Sequence, residues 1–286
     1  MISWSAPAKI NLNLLVTGKR DDGYHTLDSL VVFADVHDRI VVETGDTLSL
    51  ELSGPFSDGL TGNDDNLVLR AARALQNAAA CRQGAAIHLT KSLPLSSGIG
   101  GGSADAAATL NALSQLWRIR INKETIDDIA LALGADVPVC MAAKAQIMGG
   151  IGEQLKNAPI FPALAALLVN PGIAVSTPSV FKALAGRFSK PFNWGQNPLD
   201  REQLFALLRQ TGNDLMAPAI TQHPEIATVL DHLNRLPGCQ LARMSGSGAT
   251  CFALFNNATE ANAAATELKA RQSGWWITPT RLNAQA

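Results

Sequence analysis

The most informative stretch of this chain is Leu93-Pro94-Leu95-Ser96-Ser97-Gly98-Ile99-Gly100-Gly101-Gly102-Ser103-Ala104-Asp105-Ala106-Ala107. A short apolar segment, Ala86–Thr90, precedes it and predicts a strand. A helix follows, because apolar residues recur at spacings of four, three and four: Ala106, Leu110, Leu113 and Trp117. Glycines allow positive φ and close backbone approach, so successive N–H groups can point at one anion. The positive end of the helix dipole adds to that attraction, and the stretch predicts a phosphate-binding turn.

Two common phosphate loops do not fit this turn. No Lys-Ser or Lys-Thr pair closes it, as a Walker loop requires, and no ribose-binding acid follows at the distance typical of a dinucleotide fold. Three hydroxyls, those of Ser96, Ser97 and Ser103, could bind phosphate or a magnesium ion. On these residues alone, a flexible surface turn whose glycines serve helix packing explains the stretch equally well.

Composition excludes several classes of protein. The 286 residues are 47% hydrophobic, which is ample for a buried core, and the net charge is -1. Neither nucleic acid nor an anionic membrane is therefore an expected partner. No apolar stretch is long enough to span a bilayer, and the N-terminus lacks a signal-peptide pattern. The cysteines, Cys81, Cys140, Cys239 and Cys251, form no Cys-x-x-Cys pair, so we expect free thiols in the cytoplasm.

Alternating polarity over residues 4–16 predicts a strand with Lys9, Asn11 and Asn13 on its polar face. Further strands are predicted at Leu27–Phe33, Arg39–Glu43, Leu48–Leu52, 145–155 as a hairpin, Ala163–Val169, Cys239–Met244, Thr250–Phe255 and Trp276–Pro279. Helices are predicted at Asn66–Ala80, from Asn122 to Leu133, from Thr177-Pro178 with Thr177 as N-cap, and at Arg201–Gln210, Pro224–Leu236 and Thr259–Arg271. This mixed order predicts an α+β fold rather than a doubly wound sheet, with a boundary near residue 156.

Three separated segments resemble the motifs of one enzyme superfamily, that of galactokinase, homoserine kinase, mevalonate kinase and phosphomevalonate kinase (GHMP kinases). They are Pro7–Leu12, Pro94–Ala107 and Met244–Thr250. The resemblance implies ATP-dependent phosphorylation of a small-molecule hydroxyl. It also implies two domains: 1–156, similar to domain 2 of ribosomal protein S5, and 157–286, similar to a ferredoxin-like layer.

Other segments resemble one branch of that superfamily, which acts on a cytidine diphosphate-linked methylerythritol. They are Asp22–Leu27, Asp65–Val68, Leu133–Val139, Ser176–Pro178 and Phe181. The resemblance implies phosphorylation of the 2-hydroxyl in the non-mevalonate pathway to isoprenoid precursors. Gly101-Gly102 stands where many superfamily members carry serines, which leaves fewer hydroxyls for magnesium.

The resemblance also implies a role for individual residues. Asp136 would accept the proton of the attacking hydroxyl, and Lys9 would hold that carboxylate ionised and stabilise charge on the phosphoryl group. The nucleotide would bind at Asn66, Lys91, Pro94, Ser96, Ser97, Gly98, Gly100, Gly101, Gly102 and Ser103, with Ser103 as the candidate Mg²⁺ ligand. The phosphoryl acceptor would bind at Asn11, Tyr24, His25, Thr177, Phe181, Gly246, Ser247 and Gly248. Tyr24 and Phe181 would sandwich the cytosine, whose polar edge would bind His25.

Three alternatives stay open at this point. Another GHMP kinase would need no aromatic pair for a pyrimidine, a non-catalytic binding protein would not need both Lys9 and Asp136, and a nucleic-acid-binding module would need a basic patch. On composition and pattern alone, the favoured interpretation of Lys9 is an exposed strand lysine, and Asp136 can be read as a surface aspartate that ends a helix. We expect a monomer or a weak homodimer.

Overall fold

The computed structural model describes residues 1–63, 65–184 and 186–284, which form two compact units. The first contains Met1–Ala8, Val36–Leu95 and Gly100–Ala143. The second contains Lys9–Asp35, Ser96–Ile99 and the chain from Lys144 onward. Each unit is thus assembled from separate segments, whereas the sequence predicted a single boundary near residue 156. The reason is that β1 and β3 are long strands that contribute to both units.

The described residues form the following strands: β1 Ile2–Asn11, β2 Leu15–Lys19, β3 His25–Gly45, β4 Leu48–Ser53, β5 Gly84–Thr90, β6 Gln146–Gly150, β7 Gln154–Asn157, β8 Leu164–Asn170, β9 Leu241–Met244, β10 Cys251–Phe255 and β11 Trp276–Leu282. The helices are α1 Leu67–Ala78, α2 Gly101–Leu116, α3 Lys123–Leu133, α4 Val137–Ala142, α5 Thr177–Lys182, α6 Arg201–Arg209, α7 Met216–Gln222, α8 Glu225–Asn234 and α9 Ala258–Arg271. The predicted mixture of helices and strands is confirmed.

In the first unit, β5 lies between β4, to which it is parallel, and the second half of β3, to which it is antiparallel. Alternate residues of β5 are buried, namely Ala85, Ile87 and Leu89, which is the period-two pattern of a half-buried strand. Helices α1 and α2 pack against each other, and α2 also packs on α4. The helix that carries the glycine-rich stretch at its start is therefore fixed by neighbours along its length.

The second unit has an antiparallel sheet in the order β3, β11, β8, β10 and β9. Strand β8 is buried at every position, in keeping with its apolar sequence from residue 164 to residue 169. Side chains from α8 and α9, together with Leu14 and Val16, pack with this sheet into one apolar core. The C-terminal strand β11 pairs with β8 along its whole length and so belongs to this unit.

Several predicted elements differ from the structure. The two strands predicted within residues 27–43 are one strand, β3, because the polar residues around Asp38 stay extended and Asp38 is itself fully buried. Strand β1 ends at Asn11 rather than at residue 16, since Asn13 Oδ1 accepts a hydrogen bond from Leu30 N at 2.5 Å and the chain turns there. Thr177 is the first residue of α5, and Ser176 is its N-cap.

Two short helices, α4 and α7, were not predicted, because six or seven residues are too few to show a recurring apolar pattern. Within residues 1–63, 65–184 and 186–284, no helix is both long enough and apolar enough to cross a membrane.

Candidate active site

The glycine-rich stretch forms a tight turn that leads into α2. Gly98 and Gly100 have positive φ values of 74° and 64°, a region that glycine enters without strain. Gly100 is the N-cap of α2 and provides no side-chain hydrogen bond, so the first turn, with Gly101, Gly102 and Ser103, starts without the usual polar cap. The first N–H groups of a helix lack intrahelical partners, and a helix start of this kind suits an anion.

A second glycine loop, Ser245–Gly248, lies directly against residues 96–99 in the second unit. The Thr250 N–H donates to Ser97 O at 3.0 Å, and the Ser245 hydroxyl donates to Gly98 O at 3.2 Å. A Cβ on Gly98 would lie 2.5 Å from Ser245 O, and one on Gly246 would lie 2.5 Å from Gly98 O. Side chains at these glycines would therefore force the two loops apart.

Strand β1 brings two predicted site residues to these loops. Lys9 is only 3% exposed, so the interpretation of this residue as an exposed strand lysine is wrong. Its backbone N–H donates to Ile99 O at 2.8 Å. Asn11 is fully buried; its N–H donates to Ser245 Oγ at 3.1 Å and its Nδ2 to Ser29 Oγ at 2.8 Å. Asn11 Oδ1 has no hydrogen-bond partner among the described residues, although it is buried. Since an unsatisfied buried acceptor costs free energy, this oxygen is suited to a ligand hydroxyl.

Asp136 lies in the first unit, at the position immediately before α4. It is half-buried, and its carboxylate does not cap the helix with a side-chain hydrogen bond. A carboxylate at a helix N-terminus is favoured by the helix dipole. Asp136 thus occupies the N-cap position of α4 without making the side-chain hydrogen bond typical of a cap.

Three aromatic rings meet in the second unit. The rings of His25 and Phe181 are stacked, with centroids 5.0 Å apart and planes inclined by 25°, and Phe188 lies 6.3 Å from His25. Burial, aided by the charge of Lys19, lowers the pKa of His25 below its ordinary value, which favours the neutral imidazole. Tyr24 is 58% exposed at the preceding position. Phe188 was missed by sequence reasoning, because a single phenylalanine in an irregular segment carries no pattern.

The start of α5 also contacts the second glycine loop. The hydroxyl oxygens of Thr177 and Ser247 lie 2.7 Å apart, and Ser247 is buried. In the same unit, the Val175 N–H donates to Ser96 O at 3.5 Å. The structure thus brings residues 96–98, Thr177 and residues 245–248 into one connected group.

Two residues expected at the nucleotide are engaged within the protein. Lys91 is 1% exposed, and its ammonium contacts the carboxylates of Asp38 and Asp105. Asn66 caps α1: its Oδ1 accepts from Val68 N and its Nδ2 donates to Thr61 O, both at 3.0 Å. Pro94 is buried beside Leu93 at the entrance to the turn. The Lys91 side chain therefore does not project into solvent as a mobile phosphate-binding cation.

Two buried residues that sequence reasoning missed hold the second glycine loop. Asn213 Nδ2 donates to Met244 O and to Gly246 O, both at 2.8 Å. The Arg243 guanidinium donates to the carbonyls of Leu12, Leu208 and Thr211, and burial lowers its pKa to about 10. The sequence places the pair Asn213-Asp214 shortly after a predicted helix. That position is the one feature of the sequence that could have indicated a role for Asn213.

The residue set fits a magnesium ion only if phosphate supplies most of the ligands. Across the described part of the chain, no three His, Cys, Asp or Glu side chains are grouped as a metal site. Ser103, in the first turn of α2, offers a hydroxyl; a Cβ on Gly134 would lie 4.0 Å from its Oγ. Mg²⁺ commonly keeps several waters and binds phosphate oxygens, so one hydroxyl is compatible with it.

Comparisons with protein families and with individual proteins point to the same family of kinases. Residues 66–144 match the family described as GHMP kinases N terminal domain, and residues 199–273 match GHMP kinases C terminal. The 4-diphosphocytidyl-2-C-methyl-D-erythritol kinase of Cereibacter sphaeroides (strain ATCC 17025 / ATH 2.4.3) is 52% identical, over 97% of this chain and 98% of that protein. The enzyme with the same name from Paramagnetospirillum magneticum is 49% identical, over 98% of each chain.

Solved structures give the same picture. A crystal structure of 4-(cytidine 5'-diphospho)-2C-methyl-D-erythritol kinase is 33% identical, covers 99% of both chains and has a TM-score of 0.80. Homoserine kinase from Cytophaga hutchinsonii has a TM-score of 0.67 at 18% identity, with 97% of this chain and 93% of that chain covered. The second likeness concerns the fold alone.

Proposed function

This chain belongs to the GHMP kinase family, and we propose that it transfers the γ-phosphoryl group of ATP to the 2-hydroxyl of 4-diphosphocytidyl-2-C-methyl-D-erythritol. The observation that carries this proposal is the 52% identity, over nearly the full length of both chains, to an enzyme of that name. The reaction is a step of the non-mevalonate pathway to isoprenoid precursors.

Lys9, Asn11 and Asp136 are the proposed residues at the reacting hydroxyl. Asp136 accepts the proton of the attacking hydroxyl. Lys9 provides a buried positive charge for the transferring phosphoryl group. Asn11 Oδ1 accepts a hydrogen bond from the substrate hydroxyl that receives this group. Phosphoryl transfer depends mainly on positioning and on charge stabilisation, so the proposed base need not be a strong one.

The nucleotide phosphates are proposed to bind at the glycine-rich turn. Its tight backbone, with positive φ at Gly98 and Gly100, and the start of α2 supply N–H donors. Bound Mg²⁺ would neutralise charge on the β- and γ-phosphates, and Ser103 is the candidate protein ligand. Asn66 is proposed to contact the adenine nucleotide beside its capping role, whereas Lys91, paired with two buried carboxylates, acts through local structure.

The cytidine end is proposed to bind at His25, Phe181 and Tyr24. A neutral His25 can both donate and accept a hydrogen bond, as the polar edge of cytosine requires. Aromatic rings stack on the flat base, and Phe188 would add a further apolar surface. Gly246, Ser247, Gly248 and Thr177 would contact the diphosphate or the transferring group.

An ATP-consumption assay tests the proposal. The purified chain is offered 4-diphosphocytidyl-2-C-methyl-D-erythritol, homoserine and mevalonate separately, and the phosphorylated product is identified by mass spectrometry. We expect turnover with the cytidine compound alone. Turnover of homoserine or mevalonate instead would overturn the assignment, and so would failure to consume ATP with all three. A cytoplasmic location and a monomer or weak homodimer stay predictions.

A further inference from the structure

A buried cluster of three charged side chains lies in the first unit, beside the glycine-rich turn. The Lys91 ammonium contacts Asp38 Oδ2 and lies 2.8 Å from Asp105 Oδ2. The side chains of Lys91, Asp38 and Asp105 are 2%, 0% and 4% exposed. One positive charge therefore serves two carboxylates in a region from which water is excluded.

The cluster joins the two sides of the turn. Asp38 Oδ1 accepts hydrogen bonds from Ser92 N at 2.6 Å and Leu93 N at 2.8 Å, where the chain enters the turn. Asp105 stands in α2, four residues after that helix begins at Gly101. A Cβ on Gly101 would lie 3.4 Å from Lys91 Nζ and 3.6 Å from Asp38 Oδ2. The three charges thus lie directly behind the first residue of the helix.

We propose that Lys91, Asp38 and Asp105 are positioning residues that hold the entrance of the glycine-rich turn and the first turn of α2 in the geometry that binds the nucleotide phosphates. In this arrangement Lys91 acts through its two carboxylate partners and does not touch the phosphates. The inference rests on the proposed function only in taking the turn as a nucleotide site. It would stand for any nucleotide-dependent enzyme built on this chain.

Charge and burial support a positioning role. Lys91 is the shared ion-pair partner of both buried carboxylates, so the ammonium fixes Asp38 and Asp105 relative to one another. Burial lowers the pKa of Lys91, but the two carboxylates more than offset that effect and raise it. A buried charge group of this kind is often no more stabilising than apolar residues would be, whereas its directional hydrogen bonds specify one geometry.

The sharpest variant is Asp38→Asn. If Lys91 bound phosphate directly, removing a competing carboxylate would leave ATP affinity unchanged or improve it. If Lys91 positions the turn, the amide nitrogen of the new side chain faces the ammonium, and ATP affinity falls. We expect Kd for ATP to rise about tenfold, the change that loss of roughly one buried hydrogen bond produces.

The measurement is calorimetric titration of the full chain with a non-hydrolysable ATP analogue, without the phosphoryl acceptor. Lys91→Met should raise Kd at least as much as Asp38→Asn, and the double variant should be no worse than Lys91→Met alone. Lys123→Met, which removes an 85% exposed lysine paired with Asp127, is the matched control and should bind normally.

The conservative variant Asp105→Asn keeps an acceptor for Lys91 and covers the case in which Lys91→Met fails to fold. It should raise Kd less than Asp38→Asn does, with thermal unfolding still cooperative. A purely structural role predicts lower melting temperatures with unchanged Kd, and that result would overturn the proposal, as would tighter binding by Asp38→Asn. Normal ATP binding by the wild-type chain without turnover of the cytidine compound would contradict the proposed function alone.

Discussion

Asp136 occupies the N-cap position of α4 but makes no side-chain hydrogen bond to that helix. We propose that its carboxylate accepts the proton of the attacking hydroxyl. Replacing it with asparagine keeps the size of the side chain and removes the base. We expect kcat for the cytidine substrate to fall by about 10² to 10⁴-fold, the usual contribution of a general base, with the melting temperature nearly unchanged. Steady-state ATP-consumption kinetics measure the effect.

Asp128→Asn is the control for this variant, because Asp128 is an exposed aspartate on α3 in the same unit. It should retain wild-type kcat. Turnover by folded Asp136→Asn within about threefold of wild type would remove Asp136 from the mechanism, since a catalytic base contributes far more than that.

The contribution of Asp105 to the free energy of unfolding should fall as pH rises. Its pKa in the folded chain, about 7, lies above the ordinary value of 3.8, so the folded state binds more protons between these values. This contribution to the free energy of unfolding is complete at low pH and is lost as pH rises through about 7. The difference between wild type and Asp105→Asn should therefore fall with pH, by at most about 1.4 kcal/mol per unit.

Urea unfolding of both chains at intervals from about pH 4 to about pH 8 measures that difference, within the window that the two pKa values define. Comparing the two chains cancels the groups that titrate alike in both. A difference that stays constant with pH would mean that Asp105 does not take up a proton on folding.

Between elements, the contact of the two glycine loops sets a steric limit. Gly98 has φ of 74°, and an added Cβ would meet Ser245 O at 2.5 Å and Gly248 O at 2.6 Å. Gly172 has φ of 81° with nothing within 4 Å of an added Cβ, so Gly172→Ala carries the backbone strain without the clash. We expect Gly98→Ala to lower the free energy of unfolding by about 1–3 kcal/mol more than Gly172→Ala does.

Chemical denaturation of the two alanine variants tests this expectation, and KM for ATP should rise in Gly98→Ala only. Equal losses of stability would show that backbone conformation, rather than the approach of the loops, requires glycine at position 98.

Asn213 connects the second glycine loop to the rest of its unit. Its amide group donates to Met244 O and Gly246 O, and both bonds are buried. Asn213→Ala leaves these carbonyls without their donor, so we expect a loss of roughly 2–5 kcal/mol in the free energy of unfolding. Asn193→Ala, at an exposed asparagine that accepts only a local bond from Gly195 N, should cost less than about 1 kcal/mol. Denaturant unfolding that ranks the two variants equally would contradict the role given to Asn213.

At the scale of the whole molecule, the second unit needs residues from near the N-terminus. Leu14 and Val16 pack in its apolar core, and Leu12 O accepts a hydrogen bond from the buried Arg243. A fragment of residues 157–286 lacks these groups, so we expect it to be unfolded or aggregated. Far-UV circular dichroism and NMR dispersion measure this.

Joining residues 9–35 to residue 144 onward through a flexible linker should restore a cooperative unfolding transition, because the joined chain supplies the missing core and acceptor. A cooperatively folded 157–286 fragment would instead place the division between folding units near residue 156.

Local sequence was sufficient for much of the fold. Short apolar segments predicted β5 and β8, and Asn122 was correctly predicted as the N-cap of α3. These features depend on neighbours within a few residues, and a chain displays such neighbours directly. Motif resemblance added the family, which the comparisons confirm.

The sequence by itself determined most of the helices and strands, the family and the glycine-rich turn, since each is encoded by short-range patterns. Only the tertiary structure decided that Lys91 is buried between two carboxylates and that Asn213 and Arg243 support the second loop. It also decided that Asn11 meets Ser245, 234 residues away along the chain. The physical reason is that burial and pairing over such separations arise when the whole chain packs, and no local pattern records which residues will then be neighbours.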